Sequence, residues 1–143
     1  MEMNPYLVFS GTCAEAFEFY AEVFGGEVGF MQRVKDSPMA GDMPPEVQDM
    51  VMHARVSIGG RWLMGSDNVM GGKTGISGVH IQTGFDDVEK ARRIFKRLAK
   101  MGEVEMDFAP TFWAVGFGTC RDRYGVPWMV NCDQPAAKVS EPS

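Results

Sequence analysis

The side chains in this sequence best suited to acid–base or metal chemistry are two histidines. His53 and His80 are the only histidines in the 143-residue chain, and an imidazole can bind a metal ion or exchange a proton near neutral pH. Arg55 could hold a carboxylate or a phosphate through two parallel hydrogen bonds. Each also has a plainer interpretation, because a histidine on a strand is more often structural and Arg55 could pair with an acidic loop residue. Their roles therefore depend on the elements that carry them.

A glycine pair sets the faces of the two strands around the first candidates. Gly59 and Gly60 separate the strand-like runs Met52–Ile58 and Arg61–Ser66 at the spacing of a two-residue hairpin loop. Because side chains alternate across a strand, this register separates two sets that cannot mix without a bulge. The apolar set, which suits packing under a helix, consists of Ala54, Val56, Ile58, Leu63 and Gly65. The mixed set, which is typical of a ligand cavity, consists of His53, Arg55, Ser57, Trp62, Met64 and Ser66.

The same alternation divides the second half of the chain, where strands are predicted over Val79–Thr83, Trp113–Arg121 and Val126–Cys132. The residues predicted to face the cavity are His80, Gln82, Trp113, Val115, Phe117, Thr119, Met129 and Asn131. Those of the last strand predicted to face a helix are Trp128, Val130 and Cys132.

Both halves together predict one set of ligand-binding side chains. They are His53, Arg55, Trp62, Met64, His80, Gln82, Trp113, Phe117, Met129 and Asn131. His80 is the best candidate for a catalytic group, although no catalytic residue is assigned. Trp62 and Trp113 could stack on a planar ligand, but aromatic strand residues are usually part of the core.

Each half begins with a strand and continues into an amphipathic helix. In the first half Tyr6–Phe9 is strand-like, Thr12 and Glu15 form a capping-box pattern, and Gly25 ends the helix. The apolar stripe of this helix is Cys13, Ala16, Phe17, Tyr20, Val23 and Phe24. In the second half Asp87 belongs to an acidic cap. The second stripe is Val88, Ala91, Phe95 and Leu98, flanked by Ile94 and Met101 and closed by Gly102.

The remaining segments complete two similar halves. Further strands are predicted over Glu27–Val34 and Glu103–Phe108, a long loop over Lys35–Asp49, and a flexible connector over Asn68–Gly78. Each half therefore has the order β-α-β-β-β. The predicted fold class is α+β, with two such modules forming curved mixed sheets around a cavity and one helix per module on the outer face. The predicted boundaries of a single domain, 1–143, are a first module at about 4–67, a second at about 78–132 and a loose tail at 133–143.

Composition excludes several classes of protein. The chain is 45% hydrophobic and 23% charged, with a net charge of -5, which is untypical of a disordered or nucleic-acid-binding protein. Six basic residues decorate the second helix and are interpreted as a solvated face: Lys90, Arg92, Arg93, Lys96, Arg97 and Lys100. No secretory signal or membrane-spanning run is recognised. A cytoplasmic protein without nucleic-acid or membrane partners is expected.

The three cysteines are expected to be free thiols. Cys13 lies at a helix N-terminus, which lowers a thiol pKa, but its place on the apolar stripe favours inert packing. Cys120 and Cys132 are on neighbouring strands, yet the turn at Asp122–Gly125 places Cys120 near Trp128, so a disulfide is not expected.

Several motifs occur together in one order along the chain. They are Tyr6–Gly11, Glu15–Tyr20, Val23–Gly26, His53-Ala54, Leu63–Asp67 and Asp122–Asn131. In this combination the sequence resembles the vicinal oxygen chelate superfamily, which includes glyoxalase I, bleomycin-resistance proteins and extradiol dioxygenases, and in particular its PhnB-like branch. The resemblance extends from about Asn4 to Cys132. Members of that branch often carry a methyltransferase-like name, but Gly116 and Gly118 are predicted within a strand rather than before a helix, which does not support a nucleotide-type glycine loop.

The resemblance also implies where a metal would bind. Enzymes of the superfamily usually hold one divalent metal at four strand positions, which correspond here to Pro5, Met64, His80 and Met129. Only His80 is an ordinary ligand, since proline has no donor and a thioether suits Cu(I) rather than Zn, Ni, Mn or Fe. No cofactor is therefore predicted. A divalent metal stays an alternative, through His53 and His80 with a third donor such as Asp67.

Three functional hypotheses follow. The first is a small-molecule-binding protein of this fold without the standard metal site. The second is an enzyme, either a metal-assisted isomerase, lyase or dioxygenase or one that uses His80 as a general acid or base. The third is a non-catalytic interaction protein whose sheets build a dimer. A homodimer is expected in each case, because relatives pair their modules within or between chains.

Overall fold

The computed structural model describes residues 1–133 and divides the chain into two units. The first unit is Met1–Gly75 and the second begins at Ile76. In each, four strands form one mixed sheet and one helix follows the first strand. The α+β class and the repeated β-α-β-β-β order are therefore confirmed.

The first unit pairs its strands in an order that differs from the order along the chain. It contains β1 (Tyr6–Phe9), α1 (Cys13–Phe24), β2 (Glu27–Arg33), β3 (Val51–Ile58) and β4 (Arg61–Asp67). The sheet order is β1-β4-β3-β2, in which β1 and β4 are parallel and the other neighbours are antiparallel. The parallel pair is possible because α1 and the later strands supply the long crossover that such a pair needs.

One side of this sheet packs against α1. The buried residues of the helix are Cys13, Ala16, Phe17, Tyr20 and Val23, which are the predicted stripe except for the partly exposed Phe24. Gly65 makes this approach possible, because a Cβ there would lie 2.9 Å from the Phe17 ring and 2.6 Å from the Leu7 carbonyl oxygen. Gly25 ends the helix in the left-handed conformation with φ 70°.

The start of α1 differs from the predicted capping box. Thr12 makes no side-chain capping hydrogen bond. Instead, Oδ1 of Asp67 accepts from the amides of Gly11 at 2.9 Å and Cys13 at 3.0 Å. A carboxylate at the end of β4 thus binds the amide of the first helical residue and that of the residue before Thr12, and no local side chain caps the helix.

The second unit repeats this topology. It contains β5 (Ile81–Phe85), α2 (Val88–Ala99), β6 (Glu103–Ala109), β7 (Ala114–Arg121) and β8 (Pro127–Asp133). The sheet order is β5-β8-β7-β6, with β5 parallel to β8. Cys120 pairs with Trp128, as the predicted hairpin requires, and the cysteines at 13, 120 and 132 form no disulfide within the described residues.

The second helix has the acidic cap that its sequence indicates. The side chain of Asp87 accepts from the amides of Glu89 and Lys90. The buried residues of the helix are Ala91, Ile94, Phe95 and Leu98. Ile94 is thus part of the packed stripe, whereas Met101 is 76% exposed and lies beyond the helix.

Several predicted strand ends differ by one or two residues, and two of them concern candidate site residues. His80 lies before β5, because the left-handed Gly78 precedes it and the parallel ladder with β8 begins at Ile81. Trp113 lies before β7, because the Thr111 hydroxyl accepts from the amides of Trp113 and Ala114 in a tight turn. Such turn contacts override strand propensity.

The long loop after β2 is more ordered than predicted. Three short 3-10 turns occupy Val34–Asp36, Ala40–Asp42 and Pro45–Val47. Val34, predicted to end the strand, is instead fully buried at the start of the first turn.

At the C-terminal end, Asp133 belongs to β8 rather than to the predicted tail, and the rest of that tail, 134–143, lies outside the described residues. Among residues 1–133, neither helix has the length and apolar character needed to cross a lipid bilayer.

Candidate ligand-binding faces

In each unit, the side of the sheet turned away from the helix carries the predicted candidates; we call these sides the first and second helix-distal faces. The hairpin register is as predicted, since Ile58 pairs with Arg61 and Val56 with Leu63. The buried set toward α1 includes Ala54, Val56, Leu63 and Gly65. The first helix-distal face carries His53, Arg55, Ser57, Trp62, Met64 and Ser66.

On the first helix-distal face, two aromatic residues that the sequence analysis missed surround His53. The Tyr6 hydroxyl lies 3.2 Å from His53 Nδ1, and the two rings are stacked with centroids 5.7 Å apart. The Phe30 ring lies 5.9 Å from the same imidazole. The signal that could have found Tyr6 is alternation along β1, since Leu7 and Phe9 are buried and Tyr6 and Val8 face the other way. His53 is thus held between aromatic rings from β1 and β2.

Arg55 and Trp62 form a second cluster on this face. The Arg55 guanidinium lies 4.3 Å from the centroid of the Trp62 ring, and Gly29 leaves room for the indole on the neighbouring strand. A guanidinium stacked on a ring keeps its N–H groups in its own plane, where they can still bind a carboxylate or phosphate. This arrangement favours an anionic or planar ligand.

Methionines line a cavity at one end of the first unit. Its volume is about 340 Å³, and its lining includes Met39, Met43, Met52 and Met70. Val8, two residues beyond Tyr6 and therefore on the same side of β1, also lines it. Unbranched thioether side chains adapt to irregular shapes, so the methionine-rich loops give this end adjustable apolar walls.

The second helix-distal face is built from paired positions on three strands. Gln82 pairs with Met129, Met129 with Thr119, and Asn131 with Phe117, so these side chains share one side of the sheet. Trp128, Val130 and Cys132 are buried on the other side, under α2. The predicted division of β7 and β8 is therefore confirmed.

His80 has a partner that the sequence analysis did not identify. Its Nε2 lies 3.0 Å from Oε1 of Glu105, and the two side chains are 31% and 35% exposed. Glu105 belongs to β6 and His80 precedes β5, the two edges of this sheet, so the sheet is curved enough for its edges to meet through side chains. The sequence signal for Glu105 is the alternation of acidic residues along β6, at Glu103, Glu105 and Asp107.

Asn131, on the second helix-distal face, has a side-chain amide that is only partly hydrogen-bonded. Its amide nitrogen donates to Asp133 at 2.7 Å, whereas its buried Oδ1 has no hydrogen-bond partner within residues 1–133. The neighbouring position on β5 is Gly84, which adds no side chain beside it. On the other side lies Phe117, whose ring centroid is 5.2 Å from that of Trp113. An unsatisfied acceptor thus lies beside an aromatic pair.

The positions that the resemblance assigns to a metal do not fit a divalent ion. Pro5 offers no side-chain donor, and its carbonyl already accepts from the amide of Met64. Met64 and Met129 are thioethers, and only His80 offers a nitrogen. Four such positions cannot supply the three N or O ligands of a typical catalytic centre. Within residues 1–133, no group of three or more histidine, cysteine, aspartate or glutamate side chains could hold a metal ion.

Asp67 is not the third metal donor that the sequence analysis considered. It is 4% exposed, Oδ1 accepts from Gly11 and Cys13, and Oδ2 accepts from the Val51 amide at 2.9 Å. The alternation of side chains along β4 also places Asp67 on the side that faces α1, with Leu63 and Gly65. Its role is therefore to bind backbone.

Cys13 is an inert thiol despite its place at a helix N-terminus. Its pKa is raised from 9.0 to about 12, chiefly by burial and further by the Asp67 carboxylate, with Arg33 acting in the opposite direction. The pKa of Cys120 is also raised from 9.0 to about 12, chiefly by burial and further by the Asp122 and Glu105 carboxylates. Neither is a nucleophile near neutral pH.

Gly116 and Gly118 lie inside β7, as predicted, and serve packing rather than phosphate binding. A Cβ at Gly116 would meet the Phe108 ring at 2.3 Å, and one at Gly118 would meet the Phe95 ring at 2.8 Å. They admit two aromatic rings under α2.

Residues 2–130 match the family model of the Glyoxalase/Bleomycin resistance protein/Dioxygenase superfamily. The chain belongs to this superfamily. Protein YjdN of Escherichia coli (strain K12) is 35% identical over 145 residues, covering 92% of this chain and 95% of the relative. The crystal structure of protein PA1353 from Pseudomonas aeruginosa has a TM-score of 0.85 and 43% identity, covering 94% of this chain and 98% of that one.

A PhnB protein from Bacillus cereus, described as a putative 3-demethylubiquinone-9 3-methyltransferase, has a TM-score of 0.79 at 23% identity, covering 92% of this chain and 99% of that one. This likeness shows the fold. The superfamily resemblance inferred from the sequence is thus confirmed by the family model, and the likeness to the PhnB protein is one of fold.

Proposed function

We propose that the protein binds a small organic molecule on its helix-distal faces, without the metal of the superfamily's enzymes. The observation that carries this proposal is the unpartnered Oδ1 of Asn131 beside Phe117. Leaving a buried acceptor unpaired costs about 1–3 kcal/mol, and a ligand with an N–H or O–H donor would recover that energy. A planar ligand could also contact the rings of Trp113 and Phe117.

The first helix-distal face supports the same kind of ligand. Arg55 on Trp62 offers cationic N–H groups, and Tyr6, Phe30 and His53 offer aromatic surface. A few polar groups among apolar and aromatic walls are typical of small-molecule sites. The second face therefore suits a planar organic molecule with a hydrogen-bond donor, and the first face suits a planar molecule with an acidic group for Arg55.

A calorimetric and thermal-shift screen of aromatic amides, phenols and acids tests this proposal. For a ligand found in the screen, Asn131→Ala should weaken binding about tenfold, because one buried hydrogen bond is lost, whereas Asn131→Asp keeps an acceptor at this position. Trp113→Ala should weaken the same ligand, and Arg55→Ala should weaken a ligand that binds on the first helix-distal face. Arg61→Ala, at an exposed position on β4, is the matched control and should not. Absence of any saturable ligand, or equal effects of Arg55→Ala and Arg61→Ala, would contradict the proposal.

The contact between His80 and Glu105 favours a second candidate, an acid–base enzyme. A carboxylate on one imidazole nitrogen fixes the ring and leaves the other nitrogen to exchange a proton with a ligand. If a screened ligand is converted, His80→Ala should lower the rate by about 10²–10⁴-fold, and Glu105→Gln by less. Turnover unchanged in His80→Ala would exclude this candidate. Stoichiometric, histidine-dependent metal in the purified protein would instead favour the metal-assisted enzymes.

A further inference from the structure

A groove on the helix side of the second unit is separate from both helix-distal faces. It lies between α2 and β6 and has a volume of about 470 Å³. Its apolar floor is formed by Phe95, Ala99, Val104 and Phe108. Val104 pairs with Cys120, a residue buried toward α2, so this floor belongs to the opposite side of the sheet from Asn131.

Three cations form one wall of this groove. Arg92, Lys96 and Lys100 all line it; Arg92 and Lys96 are one turn apart on the same face of α2, and Lys100 follows directly after the helix ends at Ala99. Asp107 is the one acidic residue in the lining. The groove therefore has positive local charge in a chain whose net charge is -5.

The contacts of Arg92 show how charge and apolar surface meet here. Its guanidinium lies 5.2 Å from the centroid of the Phe108 ring, and its Nε is 3.8 Å from Glu89 Oε2. A solvated basic face, as the sequence analysis interpreted these residues, accounts for the cations. It does not account for the apolar floor beneath them, where Val104 is 45% exposed. The cations and the apolar floor together fit a ligand that carries a negative charge and an apolar body.

We infer that this groove binds a soluble amphipathic anion, an alkyl or aryl body that carries a carboxylate or phosphate. The body lies on Phe95, Val104 and Phe108, and the anionic group contacts Lys96 and Lys100. Burial of the body supplies affinity in proportion to its apolar area, and the lysines select the sign of the charge.

A titration of the full chain with four soluble probes, followed by two-dimensional amide NMR, tests the inference. Octanoate and octyl phosphate combine a chain and an anion, 1-octanol has the chain alone, and acetate has the anion alone. The first two should give saturable shifts at Ala99, Lys100, Val104 and Phe108. The alcohol should bind at least about fivefold more weakly and acetate should not saturate, because each lacks one of the two contributions.

Charge variants on the same helix separate a site from general attraction. Lys96→Gln with Lys100→Gln should weaken octanoate about fivefold, whereas Lys90→Gln with Arg93→Gln removes the same charge outside the groove and should leave affinity unchanged. Asn131→Ala should also leave it unchanged, which separates this groove from the proposed function. Equal weakening by both double variants would overturn the inference. Shifts confined to other surfaces, or binding to phosphatidylglycerol vesicles with no binding of octanoate, would do the same.

Discussion

Two buried aspartates, Asp67 and Asp122, each hold a segment of backbone that would otherwise leave amide groups unpaired. Asp67 accepts from three amides. Asp122 accepts from the amides of Tyr124 and Val126 and from the Trp128 indole at 2.8 Å. Hydrogen bonds to ionised acceptors are stronger than those between neutral groups. Both carboxylates are therefore structural, although the sequence alone presents Asp67 as a possible metal donor.

Substitution of Asp67 should destabilise the protein strongly. Asp67→Ala leaves three amides, two of them in buried hydrogen bonds, without their acceptor, which should lower the free energy of unfolding by about 3 kcal/mol. Asp67→Asn should cost less, because one acceptor oxygen remains. Urea denaturation measures both, with Asp49→Ala as a control because its ion pair with Lys35 is exposed. A loss below about 0.5 kcal/mol for Asp67→Ala would show that the amides find other partners.

The two buried thiols should make stability depend on pH in the alkaline range. The pKa values of Cys13 and Cys120 are raised from 9.0 to about 12 in the folded protein. Below pH 9 both states keep these thiols protonated, whereas between pH 9 and about 12 the unfolded state ionises first. The free energy of unfolding should therefore fall as pH rises above 9. Urea titrations at several pH values measure this, and a Cys13→Ala, Cys120→Ala variant should show a smaller fall.

Among the elements, β7 shows how a strand can be shaped by what it lacks. Gly116 and Gly118 face α2, where the Phe95 and Phe108 rings lie 5.7 Å apart. Side chains at these two positions would occupy the space of the rings. The alternation of glycine with Val115, Phe117 and Thr119 therefore fixes which side of β7 is packed and which carries candidate ligand contacts.

Replacing Gly118 with alanine should disturb this packing. The added Cβ would meet Phe95 at 2.8 Å and the Phe108 backbone at 2.9 Å, so Gly118→Ala should cost about 1–3 kcal/mol. Gly84→Ala is the matched control, since a Cβ on β5 has nothing within 4 Å, and should change stability by less than about 1 kcal/mol. Thermal and urea unfolding compare the two. Similar losses of stability in both variants would show that the effect comes from replacing any strand glycine and not from the contacts at Gly118.

At the scale of the whole chain, periodic features were predictable from the sequence and distant contacts were not. The glycine pair at Gly59 and the alternation around Phe117 gave the register and faces of the strands, because both are local patterns. The ends of β5 and β7 were missed, because Gly78 and Thr111 form turns whose hydrogen bonds compete with the sheet. Glu105 and the cap by Asp67 were missed because each joins segments far apart in sequence.

The candidate site follows the same division. The alternation of side chains along predicted strands placed Arg55, Trp62 and Asn131 on the helix-distal faces, as the strand registers show. It could not show that Arg55 stacks on Trp62 or that one oxygen of Asn131 is unpaired, because both depend on side-chain geometry. Sequence thus predicted which side of each sheet to examine, and the structure supplied the contacts.

The protein should form a homodimer in solution. Large apolar side chains are exposed in both units, including Phe30 at 47%, Met106 at 51% and Phe112 at 91%, and association would remove such surface from water. Sedimentation velocity at micromolar concentration should show a species near twice the 15.8 kDa chain mass. Phe112→Ser should weaken association, with Met101→Ser as the control. A monomer throughout the micromolar range would refute the prediction.

The different caps of the two helices have a consequence for assembly kinetics. Asp87 caps α2 from two and three residues away, whereas Asp67 reaches the start of α1 across 54 to 56 residues. Closing so large a loop carries an entropic cost that a local cap avoids. The capped end of α2 can therefore form early in folding. The cap of α1 forms only after the C-terminal end of β4 has packed against the start of that helix. Two modules with the same topology thus fold by routes of different contact order.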